Sequence, residues 1–152
     1  MFSVFRKKNK FFTEAEHQQI LQTIQQAEKE TSGEIRVFVE SKCSYMDALD
    51  RAKEIFEKLN MQNTTERNAV LIYVAVTHHQ LAIFGDEGIH KKVGNEYWSK
   101  LVKQMIHHFH KNNFAEGIRL TIAELGLDLQ KHFPHHKYID KNELPDDIVF
   151  GR

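Results

Sequence analysis

Two adjacent histidines lie in a four-residue break between apolar runs, Thr77-His78-His79-Gln80. Imidazole titrates nearest to neutral pH and binds transition metals, so the break is a candidate acid–base or metal site. Neighbouring residues of an extended chain point to opposite faces, and His78 and His79 therefore chelate one ion only where the turn bends them together. The alternative is a solvated hairpin turn without a chemical role.

The predicted sheet brings a second segment to the same place. Ile35, Val37 and Val39 alternate with other residues as in a strand, and the apolar run 69–76 predicts a central strand covered on both faces. The helical stripe within 48–59 lies between them, which makes the two strands parallel. Ligand crevices form outside the carboxyl ends of such strands. We therefore expect one crevice lined by Glu40, Ser41, Cys43, Ser44, His78 and His79.

A separate pair of acids, Asp86 and Glu87, follows the short returning strand 81–84. Because that strand runs backwards, the pair should lie at the opposite edge of the sheet, near Glu34 and Glu66. Carboxylates are ligands for hard cations, so Asp86 and Glu87 are candidate metal ligands. The alternative is a turn residue and a helix-start acid that suits the helix dipole.

The remaining histidines and the cysteine suggest less chemistry. His107 and His110 lie on the outer face of a predicted helix and no His-Glu-x-x-His pattern occurs, so we expect a solvated face. Cys43 is the only cysteine, which excludes an internal disulfide and fits a reducing compartment. A reactive thiol needs an electropositive setting, and only Lys42 adjoins it in sequence.

Composition restricts the class of protein. The 152 residues suit one domain, and 21 basic against 21 acidic residues give no global field for nucleic acid. The longest apolar run is far short of the roughly 20 residues that a membrane helix needs, and no signal peptide precedes it. We therefore predict a cytoplasmic protein that does not bind nucleic acid.

Both ends differ in charge from the middle. Segment 1–11 is basic and aromatic, and its phenylalanines either contact a membrane surface or pack on the domain. Segment 135–152 is acidic, contains Pro145 and has no period, which predicts an extended or loose tail. The domain itself is predicted to span 12–134.

Helix signals complete the fold. Thr13 with Glu16 forms a capping box at the start of the first helix, and a long helix is predicted over Asn95–Lys111. Asn113 with Glu116 has the same spacing before a last helix that stops ahead of Pro134. The elements predict an α/β/α sandwich. Its small mixed sheet combines a parallel strand–helix–strand unit with an antiparallel hairpin, and helices cover both faces.

Four stretches of the chain stand out in order. They are Glu30-Thr31-Ser32-Gly33-Glu34-Ile35-x-Val37, Arg67-Asn68-Ala69-Val70-Leu71-Ile72-Tyr73-Val74-Ala75, Ile83-Phe84-Gly85-Asp86-x-Gly88-Ile89 and Phe109-x4-Phe114-x2-Gly117-Ile118. Together they resemble the TPM domain family, whose relatives include a thylakoid-lumen protein linked to photosystem II repair and acid phosphatase activity. The resemblance covers about Phe12 to Phe133 and implies the same sandwich. It also implies a divalent-metal site rich in carboxylates and phosphate-ester hydrolysis.

The chain departs from the family at two positions. Many members carry paired aspartates in the turn where this chain has 77–80, and their Asn-Gly is Asn68-Ala69 here. Imidazole is a poor substitute for the oxygen ligands of a hard cation. We therefore predict a non-catalytic interaction module with an unknown protein partner. The alternative is a metal-dependent phosphatase with altered ligands, for which a divalent metal is the candidate cofactor.

Overall fold

The computed structural model of the protein describes residues 11–43, 46–111, 113–135 and 147–151. Helices and strands alternate along the first half of the chain, and helices dominate the second half. In chain order the elements are α1 (Glu14–Glu28), β1 (Glu34–Glu40), α2 (Ala48–Lys58), β2 (Ala69–Ala75), β3 (Gln80–Gly85), α3 (Glu87–Val93), α4 (Asn95–His110), α5 (Phe114–His132) and β4 (Asp147–Phe150).

The sheet has the strand order β3-β2-β1-β4. β1 and β2 are parallel and in register from Glu34↔Ala69 to Glu40↔Ala75, whereas β3 returns antiparallel to β2. Every residue of β2 is buried, as its continuous apolar pattern predicts for a central strand. We call the end of the sheet at which β1 and β2 finish the carboxyl edge, and the end at which they begin the amino edge.

Each face of the sheet supports its own apolar core. Alternate residues such as Val37, Ile72 and Ile83 face the layer that contains α1, α4 and α5. The intervening residues, including Phe38, Leu71 and Tyr73, pack with α2 on the other side. Helices on both faces of a mixed sheet confirm the predicted α/β/α sandwich.

A fourth strand lies where the sequence predicts a tail. Residues 147–150 run parallel to β1, with Arg36 opposite Asp147 and Val39 opposite Phe150. Four residues are too few for an alternating pattern to stand out, and of residues 148–150, whose burial is described, only Ile148 is buried. The predicted tail therefore contributes an edge strand, while residues 136–146 lie outside the described residues.

The phenylalanines nearest the first helix pack on the domain. Phe11 stacks on Phe150 at a ring-centroid distance of 6.3 Å, and the buried Phe12 stacks on Phe114 at 5.2 Å. The other aromatic residues of segment 1–11 lie outside the described residues. Within the described residues no helix has the length and apolar character to cross a membrane.

One predicted helix start is confirmed, and two others differ from prediction. The capping box of Thr13 and Glu16 is formed on both sides, with bonds of 2.9 and 3.1 Å. Asn113 makes no side-chain cap, and Glu116 binds Arg119 instead. The sequence also predicts only a turn at 86–88, where the seven-residue α3 begins, because so short a helix shows no period.

Candidate functional site

The turn after β2 meets the segment after β1 at the carboxyl edge, as the parallel topology predicts. The amide of Val76 donates to the carbonyl of Glu40 at 2.9 Å, and the amide of Thr77 donates to the carbonyl of Ser41 at 2.8 Å. These bonds extend the ladder between the parallel strands by two residues. They place the backbones of both predicted segments side by side.

His78 binds the backbone of Cys43. Its Nδ1 lies 3.1 Å from both the amide nitrogen and the carbonyl oxygen of that residue. A neutral ring with Nδ1 unprotonated accepts from the amide, and a ring protonated at Nδ1 donates to the carbonyl. In either state the imidazole joins the turn to the loop after β1. His78 therefore acts as a structural link at this edge.

His79 has different surroundings from its neighbour. Its φ of 53° lies in the left-handed region, which closes the four-residue turn, and its side chain is exposed. It lines a small hollow together with Gln80 and Leu81. One imidazole thus binds backbone while the other faces solvent.

Glu40 is held by two partners on α2 and β2. Nε and Nη2 of Arg51 each donate to its carboxylate at 2.9 Å, and the phenol of Tyr73 donates to the same group. The hydrogen bonds to Glu40 raise the pKa of Arg51. Burial, followed by the bond to Glu40, raises the pKa of the Tyr73 phenol. The carboxylate is thus held in one direction on the side of the sheet that α2 covers.

Cys43 and the backbone of Ser41 make internal hydrogen bonds at the carboxyl edge. Cys43 is buried, and its thiol donates to the carbonyl of Met46 at 3.0 Å. The carbonyl of Ser41 is occupied by Thr77. Ser44 lies outside the described residues.

Asp86 and Glu87 lie at the amino edge, where both face Arg67. Asp86 accepts from Nε and Nη2 of Arg67 at 2.7 and 2.9 Å, and Glu87 lies 3.1 Å from its Nη1. The Asp86 carboxylate also caps α3 through the amide of Glu87 at 2.8 Å. The hydrogen bond to Asp86 raises the pKa of Arg67. This pair therefore serves as a helix cap and an ion pair.

The residues at neither edge match the carboxylate-rich metal site that the family resemblance implies. Glu40 and Asp86 are each bound by an arginine at two nitrogens. Among the described residues no group of three His, Cys, Asp or Glu side chains is arranged to hold a metal ion. A hard cation needs oxygen ligands that can turn towards it, and these carboxylates are committed elsewhere.

A small hollow lies beside the histidine turn. We call it the edge hollow: it has a volume of about 320 Å³ and is lined by Asp47, Ala48, His79, Gln80, Leu81 and Ile106. Three large apolar side chains at or next to it are exposed, Met46 at 38%, Leu49 at 42% and Ile106 at 38%. Exposed apolar side chains that occur together are typical of interaction sites.

A second concavity of about 970 Å³ runs between α1 and α5. Its walls are rich in amides, including Gln22, Gln26 and Gln130, and Leu127 on its rim is exposed. Amides neither titrate nor act as nucleophiles, and the carboxylate of Glu116 on the groove wall is paired with Arg119. Of the residues that the sequence singles out, only Glu30 and Glu116 line it.

Three partners of the predicted residues carry no local signal in the sequence. Arg51 and Tyr73 orient Glu40, and Arg67 neutralises Asp86. Each is separated from its partner by at least ten positions, so no helical or strand spacing links them. Arg67 and Tyr73 stand in one of the family-like stretches, and this resemblance is the only sign of a role that the sequence offers for them.

The sequence model of the TPM domain family matches residues 6–127 of the chain. The chain belongs to the TPM domain family. The BA42 protein from the psychrophilic bacterium Bizionia argentinensis, solved by NMR, resembles this TPM domain with 40% identity and a TM-score of 0.86. The match covers 94% of this chain and 97% of that one. No curated protein matches the chain.

Two further solved structures share the fold of this TPM domain. The N-terminal domain of a protein from P. gingivalis is 15% identical with a TM-score of 0.70, covering 84% of this chain and 83% of that one. The N-terminal domain of the cg2496 protein from Corynebacterium glutamicum is 9% identical with a TM-score of 0.64, covering 94% and 83%. At these identities the likeness establishes the fold alone.

Two glycines of the family-like stretches are explained by close packing. A Cβ on Gly85 would lie 2.3 Å from the ring of Trp98, and one on Gly88 would lie 2.1 Å from the carbonyl oxygen of Glu66. Neither position has room for a side chain. These residues of the TPM domain therefore position α3 and α4 against the sheet and the loop before β2.

Proposed function

We propose that this TPM domain is a non-catalytic interaction module that binds another protein at the carboxyl edge of its sheet. The observation that supports the proposal is that polar side chains at this edge are already hydrogen-bonded to other groups of the protein. Glu40 is bound by Arg51 and Tyr73, and His78 by the backbone of Cys43. Groups held in this way stabilise the edge as a rigid surface, whereas catalysis needs groups that meet a substrate.

The surroundings of the edge hollow support a protein partner. Met46 and Leu49 at the start of α2 and Ile106 on α4 present apolar surface beside a concavity. Interface centres are enriched in such residues and depleted in charge. The hollow suits one large apolar side chain of the partner. The histidine turn would then form part of the polar rim.

A phosphatase that used Nδ1 of His78 and the carboxylate of Glu40 as metal ligands would require these groups to be released. To bind a metal through Nδ1, His78 would have to leave Cys43, and Glu40 would have to leave a bidentate arginine. Each release costs charge-assisted or backbone hydrogen bonds. The cytoplasmic location and the membrane contact of segment 1–11 remain predictions.

Site-specific photo-crosslinking in the native host tests the interaction. A photoreactive residue replaces Leu49 beside the edge hollow in one variant and the exposed Leu127 on α5 in the control. We expect a discrete heavier adduct from position 49 that disappears when Ile106→Glu is added, and no such adduct from position 127. Equal crosslinking from both positions, or none from position 49, would refute the proposed surface.

A further inference from the structure

The strand β4 is short and lies at one end of the strand order, where it pairs with β1. It has four residues, whereas β1 and β2 have seven each. The pairing runs from Arg36↔Asp147 to Val39↔Phe150, and the amide of Gly151 extends it by donating to the carbonyl of Val39 at 2.7 Å. A short strand near a chain end breaks few contacts when it separates, so its local opening costs less free energy than global unfolding.

The surface beneath β4 is apolar and needs a strand to cover it. Every residue of β1 is buried when β4 is in place. Without β4, that edge would expose apolar side chains together with unpaired backbone groups, which is the template for pairing with another extended segment. We call this surface the strand slot, and define it by Phe12, His17, Val37, Phe38 and Val39.

The segment that fills the strand slot shows which side chains it accepts. Ile148, opposite Val37, is buried in the core beneath α1, α4 and α5. Phe150, two residues later, has its ring centroid 6.0 Å from that of Phe12 and 5.7 Å from that of His17. Side chains alternate between the two faces of a sheet, so this face accommodates an aliphatic residue and then an aromatic residue at a spacing of two.

Gly151 adds a third requirement. A Cβ at this position would lie 2.7 Å from the ring of Phe38 and 3.1 Å from the Cβ of Glu40. A larger residue would have to displace the Phe38 ring, which stacks on Tyr73 at 6.2 Å. The strand slot is therefore selective for an extended segment of the pattern aliphatic-x-aromatic-glycine.

We propose that the strand slot is a docking site for a partner protein, which inserts an extended segment of this pattern and displaces β4. In strand addition of this kind, main-chain hydrogen bonds supply affinity and the side-chain positions supply specificity. β4 then acts as a tethered competitor at an effective concentration on the order of 1 mM. The slot and the edge hollow lie at opposite ends of the strand order, beside β4 and β3, so this proposal and the proposed function stand or fall separately.

Amide hydrogen exchange of the unmodified full chain measures whether β4 opens by itself. We expect the Gly151 amide, which is bonded to Val39, to exchange at least about a hundredfold faster than the most protected amides of β2, because local opening exposes it without global unfolding. Equal protection at Gly151 and in β2 would show that β4 leaves only when the domain unfolds. That result would overturn the proposal.

NMR titration with a peptide of residues 145–152 tests insertion into the slot. The receptor is the full chain with Ile148→Asp, which puts a charge at the buried position of β4 and leaves β1 unchanged. We expect saturable shifts of the amides of residues 36–40, and an apparent dissociation constant at least about tenfold weaker for the wild type, in which β4 competes. A control peptide with Ile148→Ser and Phe150→Ser should bind neither protein.

Three results of the titration would overturn the proposal: no binding to Ile148→Asp, equal affinity for both proteins, or equal affinity of both peptides. Where Ile148→Asp does not fold, Phe150→Ser replaces it as the receptor with the same expectations, because that ring is only half-buried. Sedimentation of the unmodified chain over a range of concentrations distinguishes a partner from a second copy. A dimer that forms with the wild type and is lost in the receptor variant would assign the slot to a second copy and contradict docking of a partner.

Discussion

Arg51 on α2 donates from Nε and Nη2 to the carboxylate of Glu40 at the end of β1, with both distances 2.9 Å. The Glu40 side chain is only 6% exposed. The pair therefore fixes α2 to the last residue of the strand, directly beneath the histidine turn. The carboxylate of Glu40, which the sequence predicts as a candidate ligand, therefore stabilises the contact between α2 and β1.

Arg51→Met should destabilise the protein by about 3 kcal/mol, because it leaves a buried carboxylate without its charged partner. Arg119→Met is the matched control, since Arg119 holds Glu116 in the same bidentate way on the surface and should cost less than about 1 kcal/mol. Urea denaturation at neutral pH measures both free energies of unfolding. Similar losses in the two variants would show that burial of Glu40 does not set the strength of its pair.

His78→Ala should expose Cys43 more often. The variant removes the bond between Nδ1 and the Cys43 backbone, which is worth about 0.5–1.5 kcal/mol, so local opening should increase roughly 2- to 12-fold. The rate of reaction of the single cysteine with a thiol reagent measures this opening directly. His79→Ala is the control and should leave the rate unchanged, because that ring faces solvent. A rate in His78→Ala equal to the wild-type rate would show that the link does not hold the loop.

Gly85→Ala should destabilise the protein by about 1–3 kcal/mol, because the new methyl group overlaps the Trp98 ring. The only tryptophan should change its emission at the same time. Gly94→Ala also strains the backbone, since Gly94 has φ of 78°, but nothing lies within 4 Å of its added Cβ. Fluorescence separates the two causes. Unchanged Trp98 emission in Gly85→Ala would contradict the close packing of this glycine.

Asp47 gives the fold a defined dependence on acid. The amide of Asp50, followed by that of Leu49, donates a hydrogen bond to the Asp47 carboxylate and lowers the pKa of this group below its ordinary value. A carboxylate with a lowered pKa stabilises the folded state above about pH 4, and this contribution disappears as the pH falls through the folded value. Asp47→Asn keeps a side-chain cap but does not titrate.

Thermal unfolding from pH 6 to pH 2 compares the two proteins. We expect the melting temperature of Asp47→Asn to fall less steeply than that of the wild type below about pH 4, since one titrating contribution has been removed. Parallel curves would show that the cap at Asp47 does not contribute to acid sensitivity. Glu57→Gln, at an exposed position near the other end of the same helix, controls for the loss of a surface charge.

Long patterned elements could be predicted from the sequence, and short ones could not. The eight-residue apolar run predicts the buried β2, and the stripe Trp98, Leu101 and Met105 predicts α4. β4 and α3 contain four and seven residues, fewer than a pattern needs to exceed chance. β4 also owes its place to β1, a partner more than one hundred positions away.

The position of the candidate site followed from topology, whereas the state of its residues did not. Parallel strands necessarily bring the ends of β1 and β2 together, so His78 meets Cys43 as predicted. Whether Glu40 is free or held depends on Arg51, whose distance in sequence gives no sign of the contact.

The most direct test of a non-catalytic TPM domain is hydrolysis of p-nitrophenyl phosphate by the full chain with Mg²⁺, Ca²⁺, Mn²⁺ and Zn²⁺ in turn. We predict turnover no faster than buffer with each metal, and the same result for Glu40→Gln and His78→Ala. Metal-dependent turnover that falls in either variant would contradict the central claim, because it would show that the carboxyl edge performs chemistry.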